Sequence, residues 1–192
     1  VYCGATKGLE QNQDRSDVDS EDIRQIDMVT DLLGNKLGMD VSQFTSKESV
    51  EEREVLKREF SAGDTLKVLI AIKCLDEGVN IPSIRTAFIM ASSTNPKEYV
   101  QRRGRVLRKF PGKSHAVIFD FITLPIPLDQ VGDYDAEIID SVKSLAKREI
   151  IRMKDFAAIA ENPFDSDALI SEIQRSYDIE SDIIMEEVEE YV

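Results

Sequence analysis

Three short apolar runs constrain this chain more than any other feature: Lys67 to Ile72 (KVLIAI), Arg85 to Met90 and His115 to Ile122, each rich in β-formers and bounded by turn residues. None shows the strict alternation of a half-exposed strand. Each is therefore predicted to be a strand buried on both faces, the condition of a parallel sheet. Helical signals fall between them. Ile23, Ile26, Met28, Val29, Leu32 and Leu33 recur at helical spacing, with Ser20 or Asp22 as N-cap and Gly34 or Gly38 as stop. Val41 to Phe44 is a short strand candidate. Ser49 and Glu52 stand at capping-box spacing and open a helix through Val55, Leu56 and Phe60 to Gly63. Asn95-Pro96 opens another through Tyr99, Val100 and Arg103. Strand and helix thus alternate about four times, which predicts an α/β layered domain on a parallel sheet. In such folds functional residues collect on loops leaving the carboxyl ends of strands, so Lys73 to Pro82 and Ser92 to Lys113 are the loops of interest.

Beyond Pro125 and Pro127 the pattern changes. Apolar positions from Ile138 to Ile159 describe one long amphipathic helix within Asp135 to Asn162, ended by Pro163. A second helix is predicted from Asp165 to Tyr177 and a third, acidic one from Ser181 to Tyr191. The expected organisation is residues 1–128 as the α/β domain and 129–192 as an acidic helical extension. These helices are expected to pack on the domain or on a neighbour.

Several classes of chemistry are excluded. No apolar run approaches the ~18 residues of a membrane span. Cys3 and Cys74 lie among apolar residues without metal-ligand spacing, and read as free thiols of a reducing cytoplasm. The single histidine, His115, reads as a strand-end residue, so no metal site or triad is expected. The chain starts Val-Tyr-Cys-Gly inside a strand, with neither initiator Met nor signal peptide, and is expected to be part of a longer protein.

With 24 basic and 37 acidic side chains the net charge is −13, which argues against nucleic-acid binding by bulk attraction. Its distribution is uneven. Residues 96–115 carry Lys97, Arg102, Arg103, Arg105, Arg108, Lys109 and Lys113 against one acid, Glu98, a local +6. Residues 129–192 carry 6 basic and 18 acidic groups, a local −12. Within the basic segment stands Gln101-Arg102-Arg103-Gly104-Arg105-Val106-Leu107-Arg108. A strand, a short helix and two arginines three residues apart beyond a glycine should bring both guanidiniums to one edge of the sheet, in reach of one anion. The planar, permanently charged fork of Arg suits phosphate oxygens. Gln101 adds an amide able to orient a water.

QRRGRVLR resembles motif VI (Q-x-x-G-R-x-x-R) of superfamily 2 helicases and translocases, at Gln101, Gly104, Arg105 and Arg108. LIAIKCLDEGVNIP, Leu69 to Pro82, resembles motif V. VYCGAT, Val1 to Thr6, resembles motif IV, and Gln43 to Gly63 resembles the segment linking them. The resemblance, over residues 1 to about 123, is to the C-terminal RecA-like domain. The string ASSTNPKEYVQRRGRVLRKFPGK with its acidic tail is most similar to restriction-associated DNA translocases of the DEAD/DEAH type.

The resemblance implies an ATP site shared between two RecA-like halves. An N-terminal half of the same parent holds ATP and Mg2+, and this half supplies arginines. Arg108 is implied as the arginine finger on the γ-phosphate, Arg105 as a second contact to phosphate or to an acidic residue opposite, and Gln101 as a neighbour of the nucleotide or its water. Glu77, Gly78, Asn80 and Gly104 are the implied nucleotide-side positions, Asn80 standing where many relatives carry Asp. Gly4, Thr6, Thr45, Ser46 and Lys73 are the implied contacts to a nucleic-acid backbone, Lys73 standing where motif V usually has Thr. DNA is the expected substrate, with RNA or a non-catalytic binding scaffold as the alternatives. No phosphate loop G-x-x-x-x-G-K-[ST] occurs, and Asp76-Glu77 does not follow the buried run directly as a magnesium-binding strand end would, so the chain alone is expected to hydrolyse no ATP and to hold no cofactor.

Overall fold

The computed structural model describes residues 1–3, 25–72, 81–90 and 96–180. The chain divides into two compact units, Val1–Phe121 and Ile122–Val192.

The first unit is a five-stranded sheet, all pairs parallel, in the order β2-β3-β1-β4-β5: β1 is Tyr2–Cys3, β2 Val41–Phe44, β3 Val68–Ile72, β4 Thr86–Ile89 and β5 Val117–Asp120. This is the α/β architecture predicted. Register sorts the side chains. Val41, Val68, Ile70, Ile72 and Cys3 fall on one face, where helix α1 (residues 25–36) packs Ile26, Val29 and Leu33 against them. Tyr2, Phe44, Leu69, Ala71 and Ile89 fall on the other. There the Arg53 guanidinium of α2 (Val50–Ala62) lies 5.8 Å from the Phe44 ring centre, and Arg102 of α3 (Pro96–Val106) lies 5.9 Å from that of Tyr2. Helices on both faces make three layers.

Local sequence explains the element ends. In α2 the Ser49 hydroxyl accepts the Glu52 N–H while the Glu52 carboxylate accepts the Ser49 N–H, and Gly63 closes the helix at φ 70°. The last turn of α1 widens, Leu37 N–H bonding to the Leu32 carbonyl at 3.0 Å. Gly34 suits the close approach there, because a Cβ would stand 3.0 Å from Val41 Cγ2 and that side chain would have to give way.

The expectation that all three apolar runs are buried on both faces holds for β3 only. In β4, Ala87 and Ile89 are buried whereas Phe88 is 38% exposed, and in β5 Phe119 is 47% exposed. The two rings stack at 4.6 Å between centroids. The reason is position: α1 covers β1 to β3, β5 is an edge strand, and among the described residues no helix lies over the β4–β5 part of that face. His115 lies two residues before β5, exposed, its Nδ1 3.0 Å from Ser114 Oγ.

The second unit is helical. In α4 (Ala136–Ala157) the buried residues Ile139, Ala146, Ile150 and Met153 form one stripe, which packs with Ile170 and Ile173 of α5 (Asp167–Ser176), Tyr177 and Ile179. Full burial of side chains such as Ile150 and Ile173 is worth about 1.5–3 kcal/mol each. Ile126 and Val131 belong to this core, with Ile122, Leu124 and Leu128 packed on it. That is why the structural boundary follows Phe121, whereas the compositional one follows Leu128. The Tyr177 hydroxyl closes the core by accepting the Ile126 N–H at 2.9 Å and donating to the Ile126 carbonyl. Among the described residues no helix is long and apolar enough to cross a membrane. The predicted helix at 181–191 lies outside the described residues.

Candidate functional site

Helix α3 sorts the basic segment by face. Tyr99, Arg102 and Val106 stand at i, i+3 and i+7 and are all buried, so this is the side turned to the sheet. Gln101, Gly104 and Arg105, at i, i+3 and i+4, share another side: Gln101 and Gly104 are exposed and Arg105 half-buried. Arg108, two residues past the helix end, is exposed. The neighbouring arginines of QRRGR therefore do different things. Arg102, 4% exposed over the Tyr2 ring, holds the helix to the sheet, whereas Gln101 and Arg105 line an outward surface. At Gly104 no described atom lies within 4 Å of where a Cβ would sit. Helical glycine is about 1 kcal/mol less favourable than alanine, and nothing described in the chain requires it at this position.

A crossover helix in a parallel sheet runs back against the strands, so the end of α3 lies at the amino edge. A turn at Phe110-Pro111-Gly112-Lys113 follows, with the Lys113 N–H bonded to the Phe110 carbonyl at 3.0 Å and Gly112 at φ 75°. Arg85, just before β4, grips it from Nη2 to the Gly112 carbonyl at 2.9 Å. The turn sends the Lys113 ammonium back under the helix, where it donates to the carbonyls of Val106, of Arg108 at 3.1 Å and of Pro82 at 3.3 Å. Burial, and then the Arg85 charge, pull the Lys113 pKa below its ordinary value. Lys113 was legible in the sequence as one more basic residue; its convergence on three carbonyls was not, although the Pro-Gly pair before it signals the turn.

Two further candidates, Thr45 and Ser46, belong to the carboxyl edge. Cys3 pairs with Ile72, and Phe44 with Ala71, so β2, β3 and β1 end side by side. Thr45 and Ser46 follow β2 there. The Thr45 N–H and hydroxyl both go to the Glu48 carboxylate, the hydroxyl at 2.9 Å, and its Oγ1 accepts the Lys47 N–H at 3.1 Å; Ser46 is exposed. A phosphate bound at Thr45 therefore competes with Glu48. Gly4, Thr6, Lys73, Glu77, Gly78 and Asn80 lie outside the described residues, but Gly4 and Lys73 follow directly on the paired strand ends Cys3 and Ile72. The site accordingly has two parts. Of the backbone-contact candidates Thr45 and Ser46 stand at the carboxyl edge, and the α3 surface with Arg108 returns to the opposite edge, away from the strand ends where both loops were expected to act. Among the described residues no cluster of His, Cys, Asp or Glu is built to hold a metal. Burial raises the Cys3 thiol pKa, as in an inert core cysteine.

Comparison with known proteins fits this geometry. The family described as Helicase conserved C-terminal domain matches residues 5–110. The chain is similar to "DNA 3'-5' translocase XPB2" of Sulfurisphaera tokodaii, 32% identical over 79 residues, 41% of this chain and 17% of the translocase. It is also similar to "Putative helicase 22" of a Sulfolobus islandicus filamentous virus, 35% identical over 78 residues, 41% of this chain and 14% of the viral protein. The matches thus span under a fifth of those relatives. A solved structure, "Crystal structure of the C-terminal part of Fun30 ATPase domain", superposes with a TM-score of 0.47 at 16% identity, over 64% of this chain and 34% of that one. With a family match running from residue 5 through the arginine segment, over more than half its length, the chain belongs to the helicase conserved C-terminal domain family.

Proposed function

We propose that this chain is the second half of an ATP-dependent DNA helicase or translocase, offering Arg105 and Arg108 to a nucleotide held by an N-terminal RecA-like half. The observation that carries the reading is the outward α3 surface. Gln101, Gly104 and Arg105 share it, Arg108 continues it, and the bare Gly104 leaves room for close approach from outside the chain. The residues suit an anion: two guanidiniums and an amide, with the structural arginine, Arg102, already withdrawn to Tyr2. ATP and Mg2+, held by the other half, would supply the reactive phosphoryl group. This chain's part is to place fixed positive charge where negative charge develops, worth ~10³ to 10⁵ in rate, or about 4–7 kcal/mol of barrier.

The carboxyl edge would track a nucleic-acid backbone through Thr45, Ser46, Gly4, Thr6 and Lys73. Phosphate contacts grip without reading sequence. Opening and closing of the two halves through the nucleotide cycle would then move the grip along the strand. The DNA assignment and a restriction setting follow from the Ala91–Lys113 string and its similarity to restriction-associated translocases. The translocase named among the relatives also acts on DNA.

The test is nucleic-acid-stimulated ATP turnover by the full-length protein. Arg108→Ala should lower it ~10³-fold. Turnover within about threefold of wild type would refute the finger and favour a non-catalytic scaffold. Competition among single-stranded DNA, duplex DNA and single-stranded RNA, scored by stimulated turnover, checks the substrate; preference for RNA overturns the DNA assignment.

A further inference from the structure

We propose that Lys113 is the positioning residue for the arginine finger: by holding the carbonyls of Val106, Arg108 and Pro82 on one ammonium, it sets the direction in which Arg108 leaves the backbone. This inference rests on the functional reading above.

An α-helix leaves its last carbonyls without intrahelical donors, and α3 has no left-handed glycine directly after Val106 to recover them. An ammonium has three N–H donors and no acceptor. Here three acceptors are supplied from three places: the helix end, the finger residue itself and the turn before β4. A plain helix cap needs only the first. The bond to the Arg108 carbonyl, with that to Val106 two residues earlier, restrains the stretch of backbone from which the exposed Arg108 side chain leaves. The bond to Pro82 ties the same segment to the residue two positions after Asn80 in the chain. Lys113 thus links the two stretches that the functional reading places around one nucleotide. Its own position is built in, by Gly112 at φ 75° and by the Arg85 bond to the Gly112 carbonyl.

A finger that acts on the transition state is sensitive to misplacement, an error of about 1 Å costing as much as 10²-fold. In the full-length protein, Lys113→Met keeps the length of the side chain and removes its donors. We expect turnover to fall 10- to 100-fold with the KM for ATP moving less than threefold, and Lys113→Arg to recover part of the loss because it keeps the charge. In an Arg108→Ala background Lys113→Met should cost less than twofold more. A single Lys113→Met variant within twofold of wild type, beside an Arg108→Ala variant that has lost its ~10³, overturns the role of Lys113 and leaves the functional reading intact. Equal losses from Lys113→Met in both backgrounds overturn it as well, since the residue would then act independently of the finger. Arg108→Ala within threefold of wild type overturns both. Should Lys113→Met fail to give a cooperative thermal transition, Arg85→Ala decides, because it loosens the turn and keeps the ammonium. A selective fall in turnover of about fivefold is expected from it; wild-type turnover overturns the proposal.

Discussion

In α4 the guanidinium of Arg152 is only 3% exposed and donates to the Glu149 carboxylate one turn back at 2.7 Å, inside a core of Ile150, Met153, Ile173 and Tyr177. In α3 the buried arginine, Arg102, lies over an aromatic ring, while Gln101, Gly104 and Arg105 share an outward surface that Arg108 extends. Both helices place a basic residue inward. Both also keep others outward, Arg148 in α4 among them, but only in α3 does the outward side hold a helical glycine that meets open space. The difference teaches that arginine content says little until helical phase is known. The helical unit buries Arg152 for internal order, and the sheet unit buries Arg102 for order while Gln101 and Arg105 stand on the outward side.

Five substitutions, beginning with the largest effect, test that division, and the fifth adds a pH dependence. Arg108→Ala should cost ~10³ in turnover, about 4 kcal/mol of barrier, yet shift the stability of the isolated chain by less than about 0.5 kcal/mol, as an exposed substitution does. A comparable loss of stability in denaturant titration would put Arg108 on the structural side. Glu149→Ala should do the reverse, destabilising the helical unit by about 3 kcal/mol because a buried guanidinium loses its carboxylate. Urea unfolding followed by far-UV circular dichroism reads it. Tyr177→Phe removes the hydroxyl that serves both the N–H and the carbonyl of Ile126, at a cost of about 2 kcal/mol in the same assay. Ser49→Ala should cost about 1 kcal/mol, confined to the sheet unit.

That capping box also has an acid limb. The Ser49 N–H and hydroxyl hold the Glu52 carboxyl below the usual glutamate range. A depressed carboxylate stabilises the fold above its unfolded pKa, and this contribution is lost as pH falls through the folded value. Acid titration of the wild type beside Glu52→Gln should show a limb below about pH 4.5 that the variant lacks.

Local rules made much of the fold legible. Ser49 and Glu52 announced α2, Gly63 its end, Pro96 the start of α3, and the apolar stripe of α4 its buried side. Continuous apolar runs located β3, β4 and β5 but misjudged the burial of Phe88 and Phe119, because coverage of a sheet face depends on which strand lies under which helix. The arginine segment was legible as chemistry, its glutamine, glycine and arginines standing in a recognisable order. Two features were not. Arg102 was indistinguishable from its neighbours until packing brought Tyr2 beneath it, and the hold of the Glu48 carboxylate on the Thr45 N–H and hydroxyl has no signal in the order of residues.

By itself, then, the amino-acid order determined where elements begin and end, which class of sheet they build and which octapeptide carries the charge, because caps, turns and periodicity act over a few residues. What the tertiary structure decided was the edge to which each piece returns. A crossover helix must run back against its strand, so Arg108 lies at the amino edge beside Pro82, and Lys113 meets three carbonyls that sequence separation had hidden.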